Sequence, residues 1–215
     1  MSELLAIGIS HKTAPVEVRE RLALPEARAQ EFVRDLRGSA DVQEAVTIST
    51  CNRTELYLVV GDPVEAEARV LGMLASHAGI RPTVLTPAIY SHRNCDAARH
   101  LFRVTAGLES MVVGEAEIQG QVKRAYDAAL AQDSVGPLTS RLFKAALAAG
   151  KRARTQTAIG ERNLSLPSVA VGLARELLGS LEDRRVVIVG TGETSELTAR
   201  ALSDSGAQPV FVASR

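Results

Sequence analysis

The chain has 215 residues, 46% hydrophobic and 23% charged, with 25 Lys+Arg against 25 Asp+Glu and a formal net charge of zero. That is ordinary globular composition, enough for one or two domains with a sizeable core. It excludes a chain-wide basic field for nucleic acid, a disulfide scaffold on two cysteines, and a base-stacking platform on four Phe, three Tyr and no Trp.

The start, MSELLAIGIS, lacks a basic n-region and makes a poor signal peptide. No uncharged apolar run approaches the roughly 18 residues of a membrane span. A cytoplasmic protein with reduced thiols is expected, with neither membrane nor DNA as a partner.

Residues 4–10 are an apolar run and read as a strand. Ala27, Phe32, Val33 and Leu36 recur at helical spacing in 25–36. Residues 45–50 and 55–60 read as two further strands, joined by the short polar Cys51-Asn52-Arg53-Thr54. Asp62 as N-cap and Pro63 at the first helical position open a helix to Ala78, closed by Gly79. Residues 83–90, broken by prolines, read as an edge strand at best. The order β-α-β-β-α-β over roughly the first 90 residues is the ferredoxin-like split βαβ pattern.

Helices follow at 94–107, 115–130, 137–154 and 168–178, in an Ala-rich stretch. Residues 185–190 then form an apolar burst typical of a buried parallel strand. A helix over 193–205, a C-cap candidate at Gly206 and a strand over 210–213 come next. The fold class expected is α/β (α+β): a ferredoxin-like βαββαβ domain, helices, then the first β-α-β unit of a Rossmann-type NADP-binding domain.

Cys51 falls at the expected hairpin turn. Arg53, two residues on, would favour its thiolate, the reactive form of a group whose free pKa is about 8.5. A small residue packing a turn is the bland alternative, and spacing does not decide between them. Cys95 follows Asn94, a plausible N-cap, but Asp96 opposes a thiolate there, so a structural role is favoured. His11, His77, His92 and His100 share no metal-ligand spacing with each other or with the cysteines, so no metal is expected. His100 reads as a helix-face histidine. Ser110, Glu115, Glu117 and Gln121 crowd a linker between helices, where they suit a polar ligand or simply cap a helix. Arg141, Lys144, Lys151 and Arg152 fall within about 100° of one helix face, a stripe that suits phosphates or plain solvent.

Gly190-Thr191-Gly192-Glu193-Thr194-Ser195 lies between a strand and a helix, the context in which a Gly-rich turn and a helix N-terminus hold a pyrophosphate. Ser195 replaces the third glycine. The next strand ends in Ser214-Arg215, and Arg suits a 2′-phosphate, which favours NADPH over NADH.

Together these motifs resemble the glutamyl-tRNA reductase family. The resemblance rests on GISHKTAPVEVRE (8–20), STCNRTELY (49–57), HLFRVTAGLESMVVGEAEIQGQVKRAY (100–126), GKRARTQTAIG (150–160) and VVIVGTGETSELTA (186–199). It implies that Cys51 attacks the ester of glutamyl-tRNA(Glu), leaving a thioester that NADPH reduces to glutamate-1-semialdehyde, the first step towards 5-aminolevulinate and porphyrins. It makes His100 a proton-handling or positioning residue. It makes Thr50, Cys51, Asn52, Arg53, Ser110, Glu115, Ala116, Glu117 and Gln121 the glutamyl pocket, with Arg53 on a substrate carboxylate, and Gly190–Ser195 the NADP loop. It also implies a homodimer, and glutamate-1-semialdehyde aminomutase as a candidate partner.

Glu115-Ala116-Glu117 departs from the family's usual Glu-Pro-Gln, and Thr191 from its commoner Ala. Members of the family are about twice this long, so one β-α-β unit is expected to fall short of full reductase turnover. The expected division is a catalytic domain over 1–158, a linker and helix over 159–180, and a partial Rossmann domain over 181–215. Two other readings stand beside this one. The first is a thioester-forming aldehyde dehydrogenase, disfavoured by the ferredoxin-like start and the late dinucleotide loop. The second is a module that binds glutamyl-tRNA or a partner without turnover.

Overall fold

The structure, a computed structural model, describes residues 2–38, 41–160, 166–190 and 193–212. For 160, 166, 193 and 209–212 it describes the backbone alone. The first part is built from β1 (Glu3–Ser10), α1 (Val16–Leu22), α2 (Glu26–Arg37), β2 (Val42–Ser49), β3 (Arg53–Val60), α3 (Pro63–Ala78), α4 (Pro82–Leu85) and β4 (Tyr90–Arg93). The strands form one sheet in the order β2-β3-β1-β4, each neighbouring pair antiparallel. The second part is helical: α5 (Asn94–Thr105), α6 (Glu117–Ala131), α7 (Pro137–Gln156) and α8 (Leu166–Leu178). A parallel pair follows, β5 (Arg185–Val189) and β6 (Gln208–Val212), joined through α9 (Glu193–Ser203).

Both faces of the four-stranded sheet are covered. Leu5, Ile7 and Ile9 of β1 face a core shared with Leu22, Phe32, Leu36, Val70 and Leu74 of α1–α3. Leu4 and Ala6 face the opposite core, where Tyr57 meets Leu101, Val122 and Phe143 of α5–α7. β3 is buried at every position. This two-sided burial is why β1 and the end of β3 read as apolar runs rather than alternating ones. The outer edge of β2 is closed by the α6–α7 corner: Ala45 N donates to Ser134 O (2.8 Å), and the Glu44 carboxylate accepts from Thr139 N (2.7 Å) and Thr139 Oγ1 (2.6 Å).

The cap of α3 is as the sequence indicates. Asp62 accepts from Val64 N and Glu65 N, Pro63 takes the first turn, and Gly79 is left-handed at φ 60°. Other expectations need correction. Residues 83–90 are not an edge strand. Pro82 starts the short α4, a 3₁₀ turn spans Thr86–Ala88, and β4 begins only at Tyr90. Proline in a first turn loses a hydrogen bond that would not be made anyway, so here the prolines open helices instead of breaking a strand. α1 was not expected at all. Asn94 does not cap α5. It sits at φ 49°, its Oδ1 accepts from Leu4 N (3.1 Å), and its Nδ2 donates to Glu3 Oε2 (2.9 Å). α6 begins two residues after the expected 115, which leaves Glu115 and Ala116 in the turn before it. β6 begins at Gln208, ahead of the expected 210. The linker segment 161–165 lies outside the described residues.

α5 and α7 cross closely at Gly150, where a Cβ would lie 2.8 Å from Thr105 O. Gly150→Ala is therefore expected to cost about 1–3 kcal/mol by overpacking. At this chain length that is a fall in Tm of roughly 2–4 °C per kcal/mol, which calorimetry would show.

Candidate active site

The β2–β3 connection is a tight turn locked by one hydroxyl. Thr50 Oγ1 accepts from Asn52 N and Arg53 N (both 3.2 Å), and Thr50 N donates to Arg53 O (2.8 Å). A turn this short sends neighbouring side chains in opposite directions. Cys51 is exposed, whereas Arg53 is 1% exposed and points into the protein.

The expected effect of Arg53 on Cys51 is therefore corrected. The cation that acts on the thiol is Arg19, delivered by the unexpected α1. Its Nη1 donates to the Cys51 carbonyl and to Asn52 Oδ1 (3.4 Å). Partial burial pushes the Cys51 thiol up, Glu115 pushes it the same way, and Arg19 opposes them. Arg19→Ala should thus slow alkylation of Cys51 by iodoacetamide severalfold near pH 8, and Glu115→Gln should speed it. The pH–rate profile in a Cys95→Ser background, Cys95 being exposed too, checks both signs.

Arg53 is held by a buried carboxylate that sequence reasoning misses. Glu55 is fully buried. It accepts from Arg53 Nη1 (2.7 Å), Tyr57 OH (2.8 Å) and Tyr90 OH, with His100 Nε2 3.0 Å from its Oε1. Burial alone would raise its pKa. The hydrogen bond from His100, the Arg53 charge and the remaining donors outweigh burial and bring it to about 2. An ionised carboxylate only accepts, so Nε2 of His100 carries a proton. The same carboxylate and burial push the hydroxyls of Tyr57 and Tyr90 well above the usual phenol range.

Arg53 Nη2 also donates to Glu109 O (2.5 Å), and the Glu109 carboxylate accepts from Lys12 and from Arg103 Nε (2.6 Å). The loop that holds Glu109 turns at Gly107 (φ 78°) before it and at Gly114 (φ 87°) after it, and is pinned by Arg154 Nη1 donating to Gly114 O (2.6 Å). It lies against the Cys51 turn and completes a hollow. Thr50, Cys51, Asn52, Arg53, Ser110, Glu115, Glu117, Gln121 and Thr194 are in its lining. Two polar atoms of that lining, Arg53 Nε and Ser110 Oγ, are buried with no protein partner. The hollow encloses only about 20 Å³, room for a water and not for an amino acid, so it must open to take a larger ligand.

Two expected site residues are elsewhere. Ala116 lines a separate groove between α6 and α7. His100 lines another hollow with Tyr90, His92, Lys12 and Arg103, its ring 4.9 Å from that of His92. It reaches the Cys51 side only through Glu55 and Arg53.

For a dinucleotide the described residues fit the expectation at Gly190. Its φ is 139°, and a Cβ there would lie 2.7 Å from Ser195 Oγ in the first turn of α9. That conformation strongly favours glycine. Thr191, Gly192, the side chain of Glu193, Ser214 and Arg215 lie outside what is described, and with them the Arg215 argument for a 2′-phosphate. Among the described residues no helix is long and apolar enough to cross a membrane.

The sequence model of the family described as Glutamyl-tRNAGlu reductase, N-terminal domain, matches residues 7–157. That of Shikimate / quinate 5-dehydrogenase matches residues 172–215. A glutamyl-tRNA reductase of Rubrobacter xylanophilus is 50% identical over 99% of this chain and 49% of its own length. One from Exiguobacterium sibiricum is 42% identical over 99% and 48%. The chain thus spans about half the length of the curated relatives it matches. The solved glutamyl-tRNA reductase from Methanopyrus kandleri superposes with a TM-score of 0.66 at 38% identity, over 99% of this chain and 49% of the other.

Proposed function

The chain belongs to the glutamyl-tRNA reductase family, and from that premise we propose that it takes part in the NADPH-dependent reduction of glutamyl-tRNA(Glu) to glutamate-1-semialdehyde, the step that opens porphyrin synthesis, with residues 1–158 carrying the acyl-transfer half. We read the antiparallel β2-β3-β1-β4 sheet as ferredoxin-like, and β5-α9-β6 as the opening of a Rossmann-type domain. Residues 159–180 join the two, and the setting is cytoplasmic. A homodimer and an aminomutase partner belong to the same proposal.

One observation carries the reading. A cysteine stands in a hollow whose two orphaned buried groups, Arg53 Nε and Ser110 Oγ, are donors suited to a carboxylate. In this reading the Cys51 thiol loses its proton and its sulfur attacks the ester carbonyl of the glutamyl group. The C–S bond forms, the C–O bond to the ribose breaks, and the RNA leaves as its alcohol. Arg53, fixed from behind by Glu55, orients the glutamyl carboxylate. Glu55 also holds the proton on Nε2 of His100, which gives that histidine a positioning role at one remove from the sulfur. NADPH, when bound, supplies the hydride that turns the thioester into an aldehyde. Gly190 and the first turn of α9 would hold its pyrophosphate, and Thr194 stands in the lining of the Cys51 hollow. We expect full turnover to need more dinucleotide-binding surface than one β-α-β unit provides.

The test is intact mass after mixing with glutamyl-tRNA and quenching in acid, without NADPH. A gain of one glutamyl group, mapped to Cys51 and lost in Cys51→Ser, is expected. No adduct, with the tRNA still charged, would overturn the reading in favour of a module that binds without turnover.

A further inference from the structure

α7 carries five cations, Arg141, Lys144, Lys151, Arg152 and Arg154, and no acid, in a chain of zero net charge. Arg154 is engaged on the Gly114 carbonyl. The other four are exposed, and none forms an ion pair among the described residues. Some exposed cations elsewhere have acidic partners, as Arg28 has Glu31, Arg99 has Asp96 and Lys123 has Asp127, and others, such as Arg34, Arg37 and Arg81, have no ion pair among the described residues; what sets α7 apart is four such cations on one helix that carries no acid. The four share about 100° of one helix face.

Lys144 and Lys151, two turns apart, also line a shallow groove of about 640 Å³ between α7 and α6. Ala116, Gly120 and Ala148 line it together with Tyr126 and Leu147, and the Lys123–Asp127 pair lines it from α6. Ala116 and Gly120 belong to the turn of chain that also presents Glu117 and Gln121 to the Cys51 hollow. Groove and hollow therefore lie on two sides of the start of α6, roughly a helix diameter of 10–12 Å apart.

We propose that this face of α7 and the groove beside it bind the phosphate backbone of the RNA that brings the acyl group to Cys51. The proposal rests on the reading of the Cys51 hollow given above. Unpaired cations on a rigid helix, next to an open groove, suit a bulky polyanion that is held without being read base by base. A membrane surface fits less well, since it needs large apolar side chains among the cations. The one exposed large hydrophobic residue of α7, Leu138, stands a turn before them.

The test is fluorescence anisotropy with uncharged tRNA(Glu) over a salt series. The variant combines Arg141→Ala, Lys144→Ala, Lys151→Ala and Arg152→Ala, substitutions that keep helix propensity. A charge-matched control removes four exposed cations elsewhere: Arg28→Ala, Arg34→Ala, Arg37→Ala and Arg81→Ala. Circular dichroism establishes that both are folded, and Lys144→Gln with Lys151→Gln serves if the fourfold variant is not. The fourfold α7 variant should lose about 3 from the slope of log K against log salt, and about tenfold or more in affinity near 0.15 M salt. The control should stay within about twofold of the parent. An α7 variant that binds like the parent, or a control that loses as much, overturns the proposal. So does an α7 variant that loses binding to phosphatidylglycerol vesicles while keeping the RNA. Acylation of the parent's Cys51 by a small glutamyl thioester, which carries no RNA, separately reports whether the hollow itself has been read correctly.

Discussion

Glu55→Gln is expected to destabilise the protein by about 3 kcal/mol or more and to abolish acyl transfer to Cys51. The amide keeps the size of the side chain and loses its charge. Arg53, 1% exposed, would be left as an uncompensated buried cation, the situation that makes breaking a buried pair cost roughly 3–5 kcal/mol. Its head group would no longer be fixed behind the Cys51 turn, and Nε2 of His100 would lose its charged acceptor. The pH dependence carries the same signature. The folded pKa of Glu55, about 2, lies below its ordinary 4.5, so its contribution is complete above pH 4.5 and is lost as pH falls through 2. Each tenfold change in proton affinity is worth about 1.4 kcal/mol, which again makes the contribution about 3 kcal/mol. Urea unfolding of parent and variant at pH 7, 4 and 2.5 should show the difference between them shrinking towards acid. A constant difference would overturn this account. Arg53→Met combined with Glu55→Gln, which removes both charges and leaves the amide oxygen as an acceptor for Tyr57, Tyr90 and His100, should recover much of the stability lost in Glu55→Gln alone and none of the acyl transfer, separating the two roles.

Gly8→Ala is the second large effect. Gly8 pairs with Glu55 across the central β1–β3 ladder. A Cβ there would overlap the Thr54 carbonyl oxygen and lie 2.8 Å from Glu55 Cα. Both obstacles are backbone, so no rotamer change relieves them, and β1 must move away from β3. The expected cost is at or beyond the upper end of the roughly 1–3 kcal/mol typical of overpacking. The shift would also carry Glu55 away from Arg53. Gly72→Ala in α3, where a Cβ meets nothing within 4 Å, should instead add up to about 1 kcal/mol through helix propensity. Denaturant midpoints of the two variants, moving in opposite directions, would check the pair.

Much of this was legible from local signals. Asp62, Pro63 and Gly79 marked the ends of α3 because caps and left-handed glycines act within a few residues. The Thr50–Arg53 turn and the linker around Ser110 stand out in the sequence as polar clusters, and one hollow is lined by both. What was missed depends on partners distant in sequence. α1 is short and charged and buries only Leu22, so periodicity gave no warning that it delivers Arg19 to Cys51. β4 owes its position to its pairing with β1, which no reading of 83–90 could supply. Glu55 falls in a run read only as a strand, and nothing local in the sequence marks it as buried. The available signal was its place in an i, i+2, i+4 row with Arg53 and Tyr57, three polar groups on one face of a strand. Sequence adjacency suggests Arg53 as the cation that favours the Cys51 thiolate; its guanidinium is engaged on Glu55 instead, and Arg19, distant in sequence, is the charge that acts on the thiol.

The closure of β2 by Ser134 and Thr139 has a consequence for how copies of the chain meet. An open strand edge invites a neighbour's strand and, in concentrated solution, fibrils. Here one edge of the main sheet is already satisfied by the α6–α7 corner, and the other is β4, only four residues long with Arg93 tied to Glu67. Neither edge offers a template for strand addition.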